Sequence, residues 1–543
     1  MLEHLQVIVV NETFQHLSLI SSLFIITWGY CLTIKGWVSD DIQGIAAFSD
    51  RFLQQKDAVG NVIKEEKLDS YEVDYQNKKI RIKNCGWNPA IEFPGCFLRW
   101  FRLNWGKRFG KIGENSKGHT IYGWTQSAPK HHALNLIVQL ANLFLGYNLL
   151  SHLFGMKIAF LSMLMFAVHP CGVQTVAWIS GINYLFSLFG SLLTFNAVFY
   201  IHNPYILFPV ITFTSLISCL TLLPGSLNWI ILLILGHGNP AIIAGLVGLF
   251  TILRQGREVV TFRTKAFKDQ MMGKSTGVYW RKLIIMVKTF WYYCRLIPFP
   301  KRLGLFHTWG YHFDEPIEHI DKEFWIGLLA IIVYGFGIYY LPWPVKFGMI
   351  WMLIYLLVFS NIITAQQFVS ERYAFISTFG FSIILAYYFQ NYPIVIAFLI
   401  GIAVMRIWIH LPTFQNEVRF YESNWFNFPE SEVAMGNLGV AYLNHGLANK
   451  ALDTWQEASR QNKFYDVPWY NLYSLCKQNG DVLGAKKFLR MCLDAKTVHF
   501  PDQWKKEMQE LEFLSHNVVS IQEITQRVNK SFKEGNYECA GSV

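Results

Sequence analysis

The chain alternates long apolar runs with short polar breaks over most of its length, then turns into a polar tail of helical periodicity. Crossing a bilayer as a helix takes roughly 20 apolar residues. By that measure spans fall near 17–34, 133–153, 157–170, 175–200, 205–224, 228–253, 283–300, 324–341, 344–363, 373–391 and 393–410. These make about eleven spans, the third short and the sixth interrupted between Gly236 and Pro240. Pro170 has no N–H to continue a helix, so the third run should stop there, with the His169 imidazole facing the outer surface. The first run carries no small-residue cleavage site and reads as a retained anchor rather than a signal peptide.

Residues 411–432 form an aromatic, Asn-rich connector, and a different pattern begins near Val433. Leu438, Gly439, Tyr442, Gly446, Ala451, Trp455 and Ala458 stand at tetratricopeptide spacings. At a period of about 34 residues Leu472, Gly480, Ala485 and Cys492 recur, with Trp469 as the early aromatic. Residues 502–515 and 520–533 read as amphipathic capping helices. Two repeats and a cap are short for a free-standing array, so this unit is expected to lean on the membrane domain. The expected fold is all-α: a polytopic helix bundle over 1–410 and a short α-solenoid over 433–543.

Composition agrees with a polytopic protein, at 52% hydrophobic and 15% charged residues. The nine Cys are scattered, with no CxxC or Cys/His spacing, so neither a zinc site nor a disulfide framework is expected. The basic excess is concentrated between Arg254 and Lys282, and positive residues in short loops stay cytoplasmic. Parity then puts the N-terminus inside. The 35–131 segment, the loops 301–323 and 364–372, and the repeats fall outside. "GKST" at 273–276 lacks the upstream glycine of a phosphate loop. In 98–113, "LRWFRLNWGKRFGKIG", aromatic and basic residues interleave as in an interfacial helix, and no nucleic-acid partner is expected.

Several chemistry-bearing groups share the outer side under this topology. Asp40 and Asp41, in "GWVSDDIQGI", suit a general base gripping a hydroxyl, or an ordinary solvated loop start. His131 and His132, in "APKHHALNL", stand at a span mouth where imidazole binds phosphate, shuttles a proton or simply closes hydrogen bonds. His307 and His312 lie in "LFHTWGYHF", and Glu371 and Arg372 in "FVSERYAF". Arg372 either clamps a lipid phosphate or anchors the helix end by pairing with Glu371. A carboxylate for an acceptor hydroxyl and cations for a phosphate leaving group are what glycosyl transfer from a polyprenyl phosphate needs.

The same strings resemble the transmembrane and tetratricopeptide-repeat-containing O-mannosyltransferases, enzymes of the GT-C fold. "DDIQGI", "HHALNL", "HPCGVQTVAWIS", "RLGLFH", "ERYAFIS" and "NEVRFYESNWFNFPESEVAMGNLG" follow that family's segments in order, over nearly the whole chain. The resemblance implies transfer of a sugar, typically mannose, from a polyprenyl-phosphate donor to Ser/Thr of extracytoplasmic proteins, with no required metal or other cofactor. The site implied has Asp40 and Asp41 activating the acceptor. Arg372, His169, His131 and His132 would hold the donor phosphate, and Glu371, Gln174, His307 and His312 would support them. The partners implied are membrane lipid, the lipid-linked sugar, and a protein or peptide on the repeats. The setting would be a bacterial inner membrane facing the periplasm, or the ER membrane facing its lumen. Bacterial relatives carry a glutamate at the position of Gln174, an acidic–Arg pair at Gly181 and Ile182, and often a second His at Gly172. Glutamine keeps a hydrogen bond but neither acts as a base nor neutralises a cation. The alternative is a catalytically degenerate scaffold or a subunit of a larger membrane assembly.

Overall fold

Every apolar run of the sequence folds as helix. The structure, a computed structural model, describes residues 2–36, 38, 51–56, 62–67, 70–75, 78–83, 96–114, 120–253, 278–305, 307, 320–362, 369–461, 466–494 and 501–513. Among these, seven helices are long and apolar enough to cross a membrane, or eight if a bent pair counts as one span. That pair is α4 (Met156–Ala167) and the segment Pro170–Val176, a 3₁₀ turn running into the short α5 (Val173–Val176), bent by 55° from it. The sixth run breaks into α8 (Asn228–Ile234) and α9 (Gly238–Leu253), where Gly236 takes φ +83°. Two further runs, α10 (Val278–Leu296) and α13 (Glu371–Phe389), fall short of that apolarity, α10 because it carries Lys282, Lys288 and Arg295.

The spans divide into a centre and a rim. The span ending in α6 (Ile182–Tyr200) has 72% of its residues buried, whereas α11 (Lys322–Tyr340) has 11%. Against α6 pack α3 (Ala128–Phe154) and α7 (Pro204–Thr221), and Phe195 meets Trp351 of α12 (Trp343–Leu357) at 5.6 Å; α1 (Leu2–Trp28) packs on α3 and α4, and α14 (Pro393–His410) lies on the rim. In lipid the hydrophobic effect does not drive helices together, so close backbone approach and interhelical hydrogen bonds must. Both are present. A Cβ on Gly348 of α12 would stand 2.5 Å from the Gly380 carbonyl of α13, and one on Gly380 would stand 2.4 Å from the Gly348 carbonyl. Ser191 of α6 bonds Ser218 of α7 at 2.8 Å and Asn228 of α8 at 3.1 Å, and the Tyr355 hydroxyl of α12 donates to Asn228 at 2.8 Å.

The described residues are mostly helical, as expected, and their few strands lie between α1 and α3. Antiparallel strands run in the order β2-β1-β6-β5: β1 (Arg51–Lys56), β2 (Val62–Lys67), β5 (Lys107–Glu114) and β6 (Thr120–Gln126). A separate hairpin joins β3 (Ser70–Tyr75) to β4 (Lys78–Lys83). The interfacial helix expected over 98–113 is α2, Cys96–Gly106, and stops there. Gly106, Gly110 and Gly113 are poor helix formers, and β6 offers aromatic and β-branched partners to pair with. A Cβ on Gly106 would also meet the His131 ring at 2.1 Å.

After α14, a 3₁₀ turn (Leu411–Gln415) leads into α15 (Glu417–Asn427) and two helical hairpins. These are α16 (Glu432–Asn444) with α17 (Ala448–Gln461), and α18 (Asp466–Gln478) with α19 (Val482–Asp494). Gly446 and Gly480 turn the two hairpins at φ +79° and +73°. Among the described residues the last helix is α20 (Pro501–Phe513), which packs on α19 at the place of the amphipathic helix expected over 502–515; the segment 520–533 lies outside the described residues. In the first hairpin the Trp455 indole N–H donates to the Gly436 carbonyl at 3.0 Å, and a Cβ on Gly439 would stand 2.1 Å from that indole nitrogen. Trp455 is buried and cannot swing away, so Gly439→Ala is expected to overpack the hairpin by about 1–3 kcal/mol. A thermal unfolding scan of the full chain in detergent checks this; an unchanged midpoint would refute the close packing.

Candidate functional site

The site is built where α13 begins. Ser370 is extended (φ −156°, ψ 148°), so the helix starts abruptly with Glu371 in its first turn, where a carboxylate suits the positive end of the helix dipole. Glu371 is 1% exposed. Its Oε1 accepts from the Gly304 amide at 2.8 Å and from His307 Nε2 at 2.9 Å. A carboxylate only accepts, which puts a proton on Nε2, while Nδ1 meets the Tyr292 hydroxyl at 2.8 Å.

Gln174 closes the other side of the same loop. Its Nε2 donates to the Gly304 carbonyl at 2.6 Å, and its Oε1 accepts from Ser370 Oγ at 2.8 Å and the Arg372 amide at 3.4 Å. Gly304 is thus held by its N–H through Glu371 and by its carbonyl through Gln174. Helix α15 covers this loop. Asn424 Oδ1 accepts from the Leu305 amide, the Phe428 ring lies 4.7 Å from the His307 ring, and Arg302 pairs with Glu430 at 3.1 Å. A Cβ on Gly304 would meet Asn424 Oδ1 at 2.8 Å and the Phe428 ring at 2.9 Å, so the approach needs glycine.

Arg372 follows Glu371 but does not ion-pair with it. Its guanidinium lies over the rings of Trp178, at 5.0 Å, and Tyr373, at 5.3 Å, half-buried at the helix end. Cation–π contact of this kind holds a guanidinium in place over the two rings. His169 is different from its expected placement. Instead of facing outward it is 8% exposed, with Nε2 on the Ile297 carbonyl at 3.0 Å and Nδ1 accepting from the Cys171 amide at 3.3 Å. The Pro170 turn tucks the ring under α10, so both nitrogens serve the backbone and neither is placed for a phosphate. His131 and His132 also sit under the surface rather than at an open mouth. His131 Nε2 meets Gln126 Oε1 at 3.0 Å, and His132 faces the Ala177 carbonyl. Asn135 Nδ2 donates to the Val176 and Trp178 carbonyls at 3.2 and 3.0 Å, so the 174–179 segment joins the α3 histidines to the Arg372 side.

Gln174, His307, Glu371 and Arg372 therefore come together, His169 lies apart against the Ile297 carbonyl and the Phe381 ring, and His131 and His132 form a separate buried group. Asp40, Asp41 and His312 lie outside the described residues. Sequence reasoning missed Asn424, Tyr292, Ser370 and the Gly304 peptide. Their partners are main-chain groups or residues far away in sequence, and only the Asn-rich character of the connector hints at Asn424. A Cβ on Gly181 would meet the Thr175 carbonyl at 2.5 Å and the Gln174 carbonyl at 2.7 Å, and Ile182 is 2% exposed, so this turn is packed down to its backbone. Among the described residues no three His, Cys, Asp or Glu side chains converge to hold a metal ion. No family model, curated protein or solved structure matches the chain.

Proposed function

We propose that the chain is an integral-membrane transferase of GT-C type. It would move a sugar, mannose on the family resemblance, from a polyprenyl-phosphate donor to Ser/Thr hydroxyls of extracytoplasmic proteins. The observation that carries this reading is Arg372, seated on Trp178 and Tyr373 at the end of α13 beside Gln174, Glu371 and His307. In the reaction Asp40 or Asp41 takes the proton of the acceptor hydroxyl. The oxygen attacks the anomeric carbon from the face opposite the phosphate, the carbon–phosphate oxygen bond breaks, and the departing phosphate keeps the electron pair, balanced by Arg372. The hairpins after α15, read as tetratricopeptide repeats in an α-solenoid, would hold the acceptor protein next to the site, outside the membrane, with the N-terminus and the 254–282 loop in the cytoplasm. The fuller count of about eleven spans belongs to this reading.

A second reading has its own observation. His169, Gln174, His307 and Glu371 are all engaged by protein partners, and the Gly181 turn is packed down to its backbone, as a membrane scaffold on a degenerate transferase would require. Mass spectrometry of extracytoplasmic proteins co-expressed with the chain separates the two. The transferase predicts Ser/Thr hexose that falls about 100-fold or more with Arg372→Ala and with Asp40→Ala/Asp41→Ala. Hexose at the level of cells lacking the chain, or unchanged by both variants, assigns the scaffold.

A further inference from the structure

A second feature owes nothing to the transferase reading. At the end of α14 a groove of about 750 Å³ opens between the 3₁₀ turn, α15 and α16, lined by Pro412, Thr413, Arg419, Glu422, Trp425 and Phe426 among others. One face of α14 leads into it. Ile394, Phe398, Ile402, Met405 and Ile409 are 85%, 67%, 45%, 62% and 65% exposed, at the three- and four-residue steps of a single helical stripe. The next positions on that stripe are Pro412 and Thr413, in the floor of the groove. On the far lip Trp425 and Phe426 remain 39% and 84% exposed. An apolar stripe ending in aromatic side chains is the pattern of a helix leaving the hydrocarbon layer for the headgroups.

The charges of the groove narrow the occupant. Arg419, exposed on α15, donates one N–H to Gln415 and has four more in its fork. Glu422 stands one turn on and accepts the Tyr442 hydroxyl at 2.8 Å. Burial, followed by that same carboxylate, pushes the Tyr442 phenol up to about 12, so the bond keeps its direction throughout the neutral range. A carboxylate has two oxygens and roughly four acceptor positions, so one phenol leaves capacity for a cation. One cation and one anion, three residues apart above a lipid-facing stripe, match a phosphate followed by an ammonium.

We propose that this groove binds one zwitterionic phospholipid of the ethanolamine class. Arg419 holds its phosphate, Glu422 its ammonium, Trp425 and Phe426 flank its glycerol region, and its acyl chains lie along α14. The lipid would fasten α15, and with it the helical hairpins, to the membrane surface.

Native mass spectrometry of the full chain extracted in mild detergent tests this. The expected result is one ethanolamine phospholipid retained per chain, with retention reduced at least about fivefold by Arg419→Ala, at an exposed position, and by Glu422→Gln, which keeps an oxygen to accept the Tyr442 hydroxyl. Added soluble phosphoethanolamine should not displace it, because the acyl contacts are absent. Displacement would assign a headgroup-only site and overturn the proposal. In vesicles of ethanolamine lipid with brominated acyl chains, Trp425→Phe should remove a measurable share of the quenched tryptophan emission. If phosphatidylglycerol or phosphatidylcholine is retained equally, if a peptide is retained instead, or if Trp425→Phe leaves quenching unchanged, the proposal fails. Absence of quenching from every tryptophan would instead overturn the membrane placement itself.

Discussion

Replacing Glu371 with alanine should cost about 3–5 kcal/mol of stability, because the substitution breaks a buried charge-assisted network rather than a surface pair. Its carboxylate is the common acceptor for the Gly304 amide and His307 Nε2, at 2.8 and 2.9 Å, and Glu371 and His307 side chains are 1% and 0% exposed. Alanine leaves both donors without an acceptor in a site closed by Phe428. Glu371→Gln should be milder, at about 1–2 kcal/mol. Its Oε1 still accepts from both the Gly304 amide and His307 Nε2, and only the charge of the carboxylate is lost. Unfolding in mixed detergent–dodecyl sulfate micelles reads both values. A double-mutant cycle with His307→Ala should return a coupling of about 1.5–3 kcal/mol. A loss near that of an exposed ion pair, below about 1 kcal/mol for Glu371→Ala, would mean the network is not closed in solution.

The substitution Gln174→Glu should destabilise the chain by about 3 kcal/mol or more near neutral pH. Gln174 is matched to its partners atom by atom: Nε2 is 2.6 Å from the Gly304 carbonyl, and Oε1 accepts from Ser370 and the Arg372 amide. A carboxylate can replace only the accepting half. Its second oxygen would face the Gly304 carbonyl with no proton between them, close to the carboxylate of Glu371. Protonating the new carboxyl restores the donor, so the loss should shrink as pH falls. Measured at pH 5 and pH 8 in the same micelles, the gap between variant and wild type should widen with pH. A variant as stable as wild type at pH 8 would show that the loop re-forms around a charge, and that the glutamine is incidental.

How much of this was legible in the sequence follows from which kind of partner each residue has. The apolar runs announce their helices because hydrophobicity is local, and so do the breaks at Pro170 and Gly236. Periodic small residues such as Gly446 and Gly480 mark the hairpin turns for the same reason. Convergence of Glu371 with His307 and Gln174 was implied only through a common outer side. The consequences were not legible, because Gly304, Ile297 and Leu305 contribute main-chain groups that every residue possesses. His169 illustrates the loss: its type suggested a phosphate ligand, yet its placement is set by two backbone atoms. The sheet between α1 and α3 was hidden too, since mixed charge and glycine in 107–126 leave no helical or alternating signal strong enough to read.

The glycine contact between α12 and α13 has a mechanical reading. Gly380 lies nine residues from Glu371 and nine from Phe389, the two ends of α13 (380 − 371 = 389 − 380 = 9). With backbone against backbone at its midpoint, Tyr373 stacked on Phe359 and the Trp351 indole bonded to the Ile376 carbonyl, α13 is clamped to α12 over its first half. At about 1.5 Å per residue Glu371 stands about 13.5 Å from the glycine contact, so a tilt of about 10° would carry it through about 2.4 Å. That displacement exceeds what the bonds to Gly304 and His307 tolerate, so the site holds only while α12 and α13 keep their contact.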